Sequence, residues 1–443
     1  MKNTEISKGM ERITSFFDPG TFTETGAYVK RKDGEAFEGV ICGYGSVGGK
    51  LTFAFAQDPD RMSGAFDSLH AGKIVSIIEA AVKNGAPVVG FFDSLGAVIN
   101  EGAQVLAAYG KVMKAVAEAS GIIPTVAVIS GICGGSSAVF ASMFDFVICC
   151  RDSSDIYFSP RYEAVASDYP ATVLADDESS ALAAVRDILS YIPQNNSDGV
   201  EIETVDDLNK TVSVPIKDGR CDNRSLISLL ADGGKYTELF SGYDESMITV
   251  LTSIGGVPVG LIANDSFNNS GSVTTRGAQK ALKLLSFCDG FGIPVVTLVD
   301  TDGVDKNADV NTVSKLVSAY ASSTNAKVTV YTGSAVGTAF NVMGSKSLGA
   351  DVAFALEGST ISVMKPESAV AFLWNDKVAN EKRKNLEEKW KSEFAGAAHA
   401  AECGEIDDII PSEQTRQRIC AALMMLSGKS CFGFTRKHYN TSI

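Results

Sequence analysis

Histidine is scarce in this chain. His70, His399 and His438 are the only three, and none stands in a Ser-His-Asp or Cys-His pattern; no HExxH and no P-loop occurs either. A conventional triad hydrolase, a zinc peptidase and a Walker-type nucleotide enzyme are therefore excluded. Nine cysteines form no CxxC pair and have no metal-ligand spacing, so no metal site is expected. They read as small buried hydrophobes in a reducing compartment, the neighbours Cys149 and Cys150 included. Positive charge is also short: 39 Lys and Arg against 53 Asp and Glu leave a net charge of −14. That is the wrong sign for a nucleic-acid partner. The opening MKNTEISKGM is polar and lacks the apolar segment of an export signal, which implies a cytoplasmic protein. Residues 121–150 are poor in charge, but Pro124, Asp145, Gly121, Gly131, Gly134 and Gly135 break them into a buried strand, turn and helix instead of a membrane span. GYGSVG at 43–48 fits GxGxxG in letters. It runs into the strand-like LTFAFA where a dinucleotide fold needs a helix.

What is present is a long internal repeat. At an offset of 207 residues, Gly48-Gly49, Gln57-Asp58, Lys73, Pro87-Val88-Val89 and Asp93 fall on Gly255-Gly256, Asn264-Asp265, Lys280, Pro294-Val295-Val296 and Asp300. A period this long marks two fused copies of one domain and not a short-repeat solenoid. Length agrees, because 443 residues exceed what one hydrophobic core supports, and two domains of about 220 residues are the natural division.

Each half has the same grammar. Asp18-Pro19-Gly20 is turn chemistry, restated by ADGGKYTELF at 231–240. Two strands then flank a Gly-Gly turn as a hairpin. A helix follows with apolar Ile74, Val75, Ile77, Ile78, Ala81 and Val82, matched by Leu282, Leu284, Leu285 and Phe287. Short apolar strands at 87–92 and 294–299 each precede an Asp. A further helix leads to a third strand, 125–129 or 327–331, and then to a glycine-rich turn that opens another helix. Alternating β and α with near-continuous apolar strands indicates α/β sheets covered on both faces. Residues 191–207 have no periodicity and read as a linker, and the boundary is placed at 225, giving domains 1–225 and 226–443.

The chemistry has to sit at the glycine-rich turns. SGICGGSSAVF at 130–140 matches TGSAVGTAF at 332–340 with an offset of 202, pairing Gly131, Gly135, Ser136 and Ser137 with Gly333, Gly337, Thr338 and Ala339. Such a turn presents unpaired backbone N–H groups to an anionic oxygen. Small residues let a thioester carbonyl approach closely enough for two N–H groups to hold an enolate oxygen. No conventional side-chain base is evident, so the substrate or cofactor has to move the proton.

These residues carry a resemblance over nearly the whole length. MERITSFFDPGTF, NGAPVVGFFDS, YGKVMKAVAEASGIIPTVAVISG, LSYIPQNN, FCDGFGIPVVTLVD, VMGSKSLGAD and AAECGEIDDIIPSEQTRQRI, in this order, are similar to segments of the carboxyltransferase family of biotin-dependent acyl-CoA carboxylases and decarboxylases. The resemblance implies two fused crotonase-like (ClpP/crotonase) domains. It implies a carboxyltransferase acting on a short-chain acyl-CoA of the propionyl or methylmalonyl class. Carboxybiotin would come from a separate biotin carrier protein working with a biotin carboxylase or membrane decarboxylase subunits. In that mechanism carboxybiotin releases CO₂, the ring nitrogen takes the α-proton, and two oxyanion holes do the protein's part. By position Gly135 and Ser136 match the hole for the thioester, and Thr338 and Ala339 the hole for the biotin carbonyl. Cys133, Gly134 and Gly337 adjoin them, and Asn341 matches a residue lining the acyl pocket. The resemblance further implies a site shared between subunits, hence a homodimer or homohexamer.

The departures from the family are specific. Ser136 and Thr338 replace glycines of the usual turns, DSLGAVINEG at 93–102 has Leu95 and Val98 in place of glycine and arginine, and the loop after Asp300 is shortened to TDGVDKNADV. They raise a second reading, a catalytically degenerate paralogue serving as a binding or assembly subunit. A third, a hydratase or thioesterase, needs a positioned carboxylate, for which Asp93 and Glu101 are the candidates. Lys365 and Lys114 follow methionines, but neither has the hairpin setting of a biotinylated lysine, and no four-cysteine zinc ribbon is present.

Overall fold

The computed structural model describes residues 6–30, 39–158, 169–200, 202–204, 206–379 and 381–430. The chain forms two units, Met1–Gly199 and Val200–Ile443. The division thus precedes the boundary at 225 taken from the sequence. Residues that looked like the tail of the first half belong to the second, where the Val212 amide donates to the Glu413 carbonyl and the Asp222 carboxylate caps the next helix through the Ser225 amide.

The first unit runs α1 (Lys8–Phe16), β1 (Thr23–Thr25), β2 (Val40–Val47), β3 (Lys50–Gln57), α2 (Ser68–Asn84), β4 (Val88–Ser94), α3 (Ala103–Ala119), β5 (Thr125–Gly134), α4 (Ser136–Ser142), β6 (Phe146–Cys150), β7 (Asp155–Tyr157), β8 (Val173–Ala175) and α5 (Glu178–Tyr191). Its sheet has the order β1-β2-β3-β4-β5-β6-β8, with β7 also paired to β5. β1, β2 and β3 are antiparallel and the remaining pairs parallel. The β2–β3 hairpin turns on Gly48 and Gly49, both at positive φ, as a two-residue loop between twisted strands requires. The Asp18 carboxylate accepts from both glycine amides, at 3.2 and 3.0 Å, so the Asp-Pro-Gly segment is the clasp of that hairpin.

The second unit repeats the plan. After a short hairpin, β9 (Ile216–Lys217) and β10 (Arg220–Cys221), come α6 (Asn223–Leu230), β11 (Tyr236–Leu239), β12 (Met247–Ile254), β13 (Val257–Asn264), α7 (Thr275–Gly290), β14 (Val295–Thr301), α8 (Val310–Ser322), β15 (Lys327–Val336), α9 (Ala339–Val342), β16 (Val352–Leu356) and β17 (Thr360–Ser362). Three helices, α10 (Pro366–Leu373), α11 (Arg383–Phe394) and α12 (Ala397–Glu402), precede β18 (Asp408–Ile410) and α13 (Thr415–Leu426). The sheet order β11-β12-β13-β14-β15-β16-β18, with β17 on β15, is that of the first unit element for element. Asp232 clasps Gly255 and Gly256, both at 2.8 Å, as Asp18 does its pair.

In the first unit, α2 and α3 bury one sheet face. Ile74, Ile77, Ile78 and Ala81 of α2 point inward with Val112 and Val116 of α3, the apolar spacing read from the sequence. Phe55, Phe92, Phe140 and Phe144 interlock beside them, with ring centroids 5.0–6.5 Å apart in mostly edge-on geometry. Strands β5 and β15 are longer than their apolar runs. β5 continues to Gly134 and β15 to Val336, because β7 and β17 supply new partners beyond a register shift. Much of each glycine-rich segment is therefore strand.

All eight cysteines among the described residues are free, and Cys403 alone is exposed. Desolvation holds the thiols of Cys42, Cys149 and Cys221 up at about 12 and Cys150 at about 11, from an ordinary 9.0. A folded-state pKa above the unfolded one gives stability that is complete below the unfolded value and lost as pH rises through the folded value. Lys280 opposes this: burial lowers its amine to about 8, so the fold gains from that one group as pH rises from 8 towards 10.5. The cysteines outnumber it. The melting temperature is expected to fall steadily above about pH 9, with buried thiols becoming reactive in the same window; a flat profile up to about pH 11 would contradict this.

Candidate active site

Each sheet ends its central strand in the same turn. In the first unit Gly135 has φ +58° and its amide donates to the Tyr157 carbonyl at 2.8 Å. In the second, Gly337 has φ +60° and its amide donates to the Ser362 carbonyl at 2.9 Å. A positive φ at this point is what glycine supplies, and it aims the next two amides away from the strand. Those are the amides of Ser136 and Ser137 in one unit, and of Thr338 and Ala339 in the other. None of the four has a hydrogen-bond partner among the described residues. Among the described residues, a Cβ on Gly135 would meet the Phe158 carbonyl at 3.8 Å and one on Gly337 the Val363 carbonyl at a tight 3.3 Å.

The Gly135 amide is engaged by β7, so in this arrangement Gly135 shapes the turn, as Gly337 does. In the repeat register of 202 the partner of Ala339 is Ser137, which was not among the expected site residues. That register already carried the signal. The Ser137 hydroxyl is buried and meets the Tyr109 hydroxyl at 3.0 Å, so its side chain faces the core while its amide stays free.

The other expected residues fall into distinct roles. Cys133 is fully buried in β5 and desolvation raises its pKa, which makes it packing and not a nucleophile. Gly134 admits the Tyr157 ring, which a Cβ would approach to 2.8 Å. Ala339 is buried, whereas Thr338 and Asn341 are exposed. The Asn341 side-chain oxygen accepts from the Ser345 hydroxyl at 2.8 Å, which fixes its amide plane.

Behind each turn an aspartate at the end of a strand leans on a glycine of the next. A Cβ on Gly131 would lie 2.1 Å from Asp93, and one on Gly333 2.3 Å from Asp300. The two aspartates are stabilised differently. Asp93 pairs at 2.8 Å with Arg12, a guanidinium only 4% exposed that also binds Glu178 and the Ser130 carbonyl. Asp300 accepts the Ser334 amide at 2.8 Å, and burial pushes its pKa up. Glu101, the other candidate base, takes the amide and hydroxyl of Ser68 at 2.9 and 2.8 Å. Both carboxylates considered for hydratase chemistry are thus engaged structurally. Lys365 precedes α10 and pairs with Asp302, and Lys114 lies within α3 beside Glu118; neither has a hairpin setting.

The model of the carboxyl transferase domain matches residues 8–162 and 170–441. The chain belongs to the carboxyl transferase family. Among curated relatives of this carboxyltransferase, the propionyl-CoA carboxylase carboxyltransferase subunit of Haloferax mediterranei is 32% identical over 475 residues, covering 97% of this chain and 92% of the relative. The methylmalonyl-CoA decarboxylase α subunit of Veillonella parvula is 31% identical over 470 residues with the same coverages. The crystal structure of transcarboxylase 12S, a hexamer with methylmalonyl-coenzyme A and methylmalonic acid bound, superposes with a TM-score of 0.92 at 28% identity, over 98% of this chain and 92% of that one. Its crotonase-like fold is the duplicated α/β fold found in this chain. No helix among the described residues is long and apolar enough to cross a membrane.

Proposed function

We propose that this carboxyltransferase is the subunit that moves a carboxyl group between carboxybiotin on a separate carrier protein and a short-chain acyl-CoA of the propionyl or methylmalonyl class. The observation that carries the reading is the pair of equivalent turns, each presenting two adjacent amides without partners among the described residues. Ser136 and Ser137 would hold the thioester oxygen as it becomes an enolate, and Thr338 and Ala339 the carbonyl of the biotin ring. Preorganised donors of this kind favour an oxygen whose negative charge grows in the transition state. Carboxybiotin, when bound, supplies the carboxyl group and the base. The chain's own contribution is to fix both oxygens and to exclude alternative geometries, with Asp93 and Asp300 bracing the strands that carry the turns.

A homodimer or homohexamer is part of the proposal, supported by the hexameric assembly of transcarboxylase 12S, as is a cytoplasmic location with the carrier and its carboxylase or decarboxylase subunits as partners. The test is a panel of thioesters. Propionyl-CoA and methylmalonyl-CoA are expected to raise the melting temperature through binding to the folded state, by about 2.7 kcal/mol of stabilisation at a hundredfold excess over Kd, and the protein to exchange a carboxyl group with free biotin. Sedimentation should show no monomer at micromolar concentration. A protein that binds no thioester and transfers nothing would instead be a degenerate paralogue serving assembly.

A further inference from the structure

Three segments of the second unit converge on one carboxylate beside the Gly337 turn. Asp302, in the loop after β14, receives Lys365 Nζ at 2.8 Å and Arg220 Nη2 at 3.2 Å. Arg220 comes from β10, and Lys365 from the link between β17 and α10. Both remaining flanks of the turn are nearby in the chain. The Ser362 carbonyl holds the Gly337 amide, and the Val363 carbonyl lies over Gly337. On the other side, a Cβ built on Gly303, next to Asp302, would lie 4.0 Å from the Val336 carbonyl. The Ser362 hydroxyl, donating to the Met364 carbonyl at 2.7 Å, stiffens the link that leads to Lys365.

Resting on the function proposed above, we infer that Asp302, Lys365 and Arg220 form a charged brace that positions the Thr338 and Ala339 amides. The brace closes a bracket: one arm is the 301–305 loop, the other the 362–365 link, and the ion pair ties their free ends across the turn. Asp302 is only 16% exposed, although Lys365 is nearly half exposed and Arg220 about a third, so the carboxylate is the shielded member of the brace. Although burial works against it, the bonds to Lys365 and Arg220 hold Asp302 below the ordinary carboxylate range, which keeps the brace charged throughout the neutral range. Among its described residues the first unit has no equivalent, and there the charge sits behind the strand on Asp93 and Arg12. Asp302 lies in the short loop after Asp300, and the brace is a means of ordering the turn beside that loop.

The test uses the full-length oligomer with Lys365→Met, Asp302→Asn, the double variant and Lys365→Arg. Hydrogen–deuterium exchange of the peptide spanning 334–343 is expected to quicken several-fold in both single variants, with the 132–141 peptide unchanged as internal control. The double variant should be no faster than either single one, and Lys365→Arg should restore protection. In the transfer assay kcat should fall on the order of tenfold in the singles while the thioester-induced thermal shift persists, as expected for misplacement of one turn only. Unchanged exchange over 334–343, additive effects in the double variant, or equal loosening of 132–141 would overturn the inference. Exchange is read without any activity, so an inactive wild type would count against the proposed function, whereas the brace stands or falls on the exchange of 334–343.

Discussion

Thr338→Pro and Ser136→Pro will each lower carboxyl transfer by roughly 10²–10³-fold while the protein stays folded, the loss found when one oxyanion donor is removed. Proline deletes an amide hydrogen and fixes φ near −65°. Thr338 already has φ −58° and ψ −28°, and Ser136 is the first residue of α4, a position where proline is well tolerated. Neither amide makes a hydrogen bond among the described residues, so nothing structural is given up. The hydroxyls are the control. Ser136→Gly and Thr338→Gly keep the amide and remove side-chain bulk at the turn, so transfer is expected to be preserved or improved. These variants separate donor from packing more cleanly than valine would at Gly135, where a β-branched residue at φ +58° is strained whatever the turn does. Steady-state kinetics with free biotin and a thioester, beside melting curves, decide the matter. Full activity in both proline variants would mean that these turns only pack helix against sheet.

The second large effect is on stability. Arg416 is fully buried on α13 and spends its guanidinium on the Leu230 carbonyl at 3.2 Å, the Asp207 carbonyl at 2.8 Å and the Asp232 carboxylate at 2.5 Å. Asp232 is the clasp of Gly255 and Gly256. Arg416→Met leaves two carbonyls and a nearly buried carboxylate without their cation, and breaking a buried pair in this way typically costs about 3–5 kcal/mol. For a unit of this size that is a drop of roughly 6–20 °C. Exchange protection should be lost in β12 and β13 and retained in the first unit. Replacing Arg416 and Asp232 together by apolar residues should recover part of the loss, and a drop below about 1 kcal/mol in the single variant would show the network to be dispensable.

The duplicated architecture was legible because its signals are local. Gly-Gly between alternating strands, Asp-Pro-Gly against Ala-Asp-Gly-Gly, and apolar residues at helical spacing each act through neighbours in the chain, so the repeat could be read in order. Even the clasp was visible as a repeated motif, though not what it held. Helix α9, by contrast, has four residues where α4 has seven; Gly344 at φ +75° soon follows it. The position of the division between the units escaped because residues 200–225 carry weak local pattern and are placed by contacts to distant strands and helices.

From the sequence alone follow the two copies of one α/β domain and the pair of equivalent glycine turns at which the proposed chemistry is placed. Which amides at those turns are free depends on the folded structure. Gly135 and Ser136 look alike as donors in the chain, but the Tyr157 carbonyl of β7 takes the first and leaves Ser136 with Ser137, just as Ser362 of β17 takes Gly337 and leaves Thr338 with Ala339. Those pairings join strands separated by a helix and a further strand. A backbone donor carries no side-chain signature, and its availability depends on which carbonyl the fold brings to it.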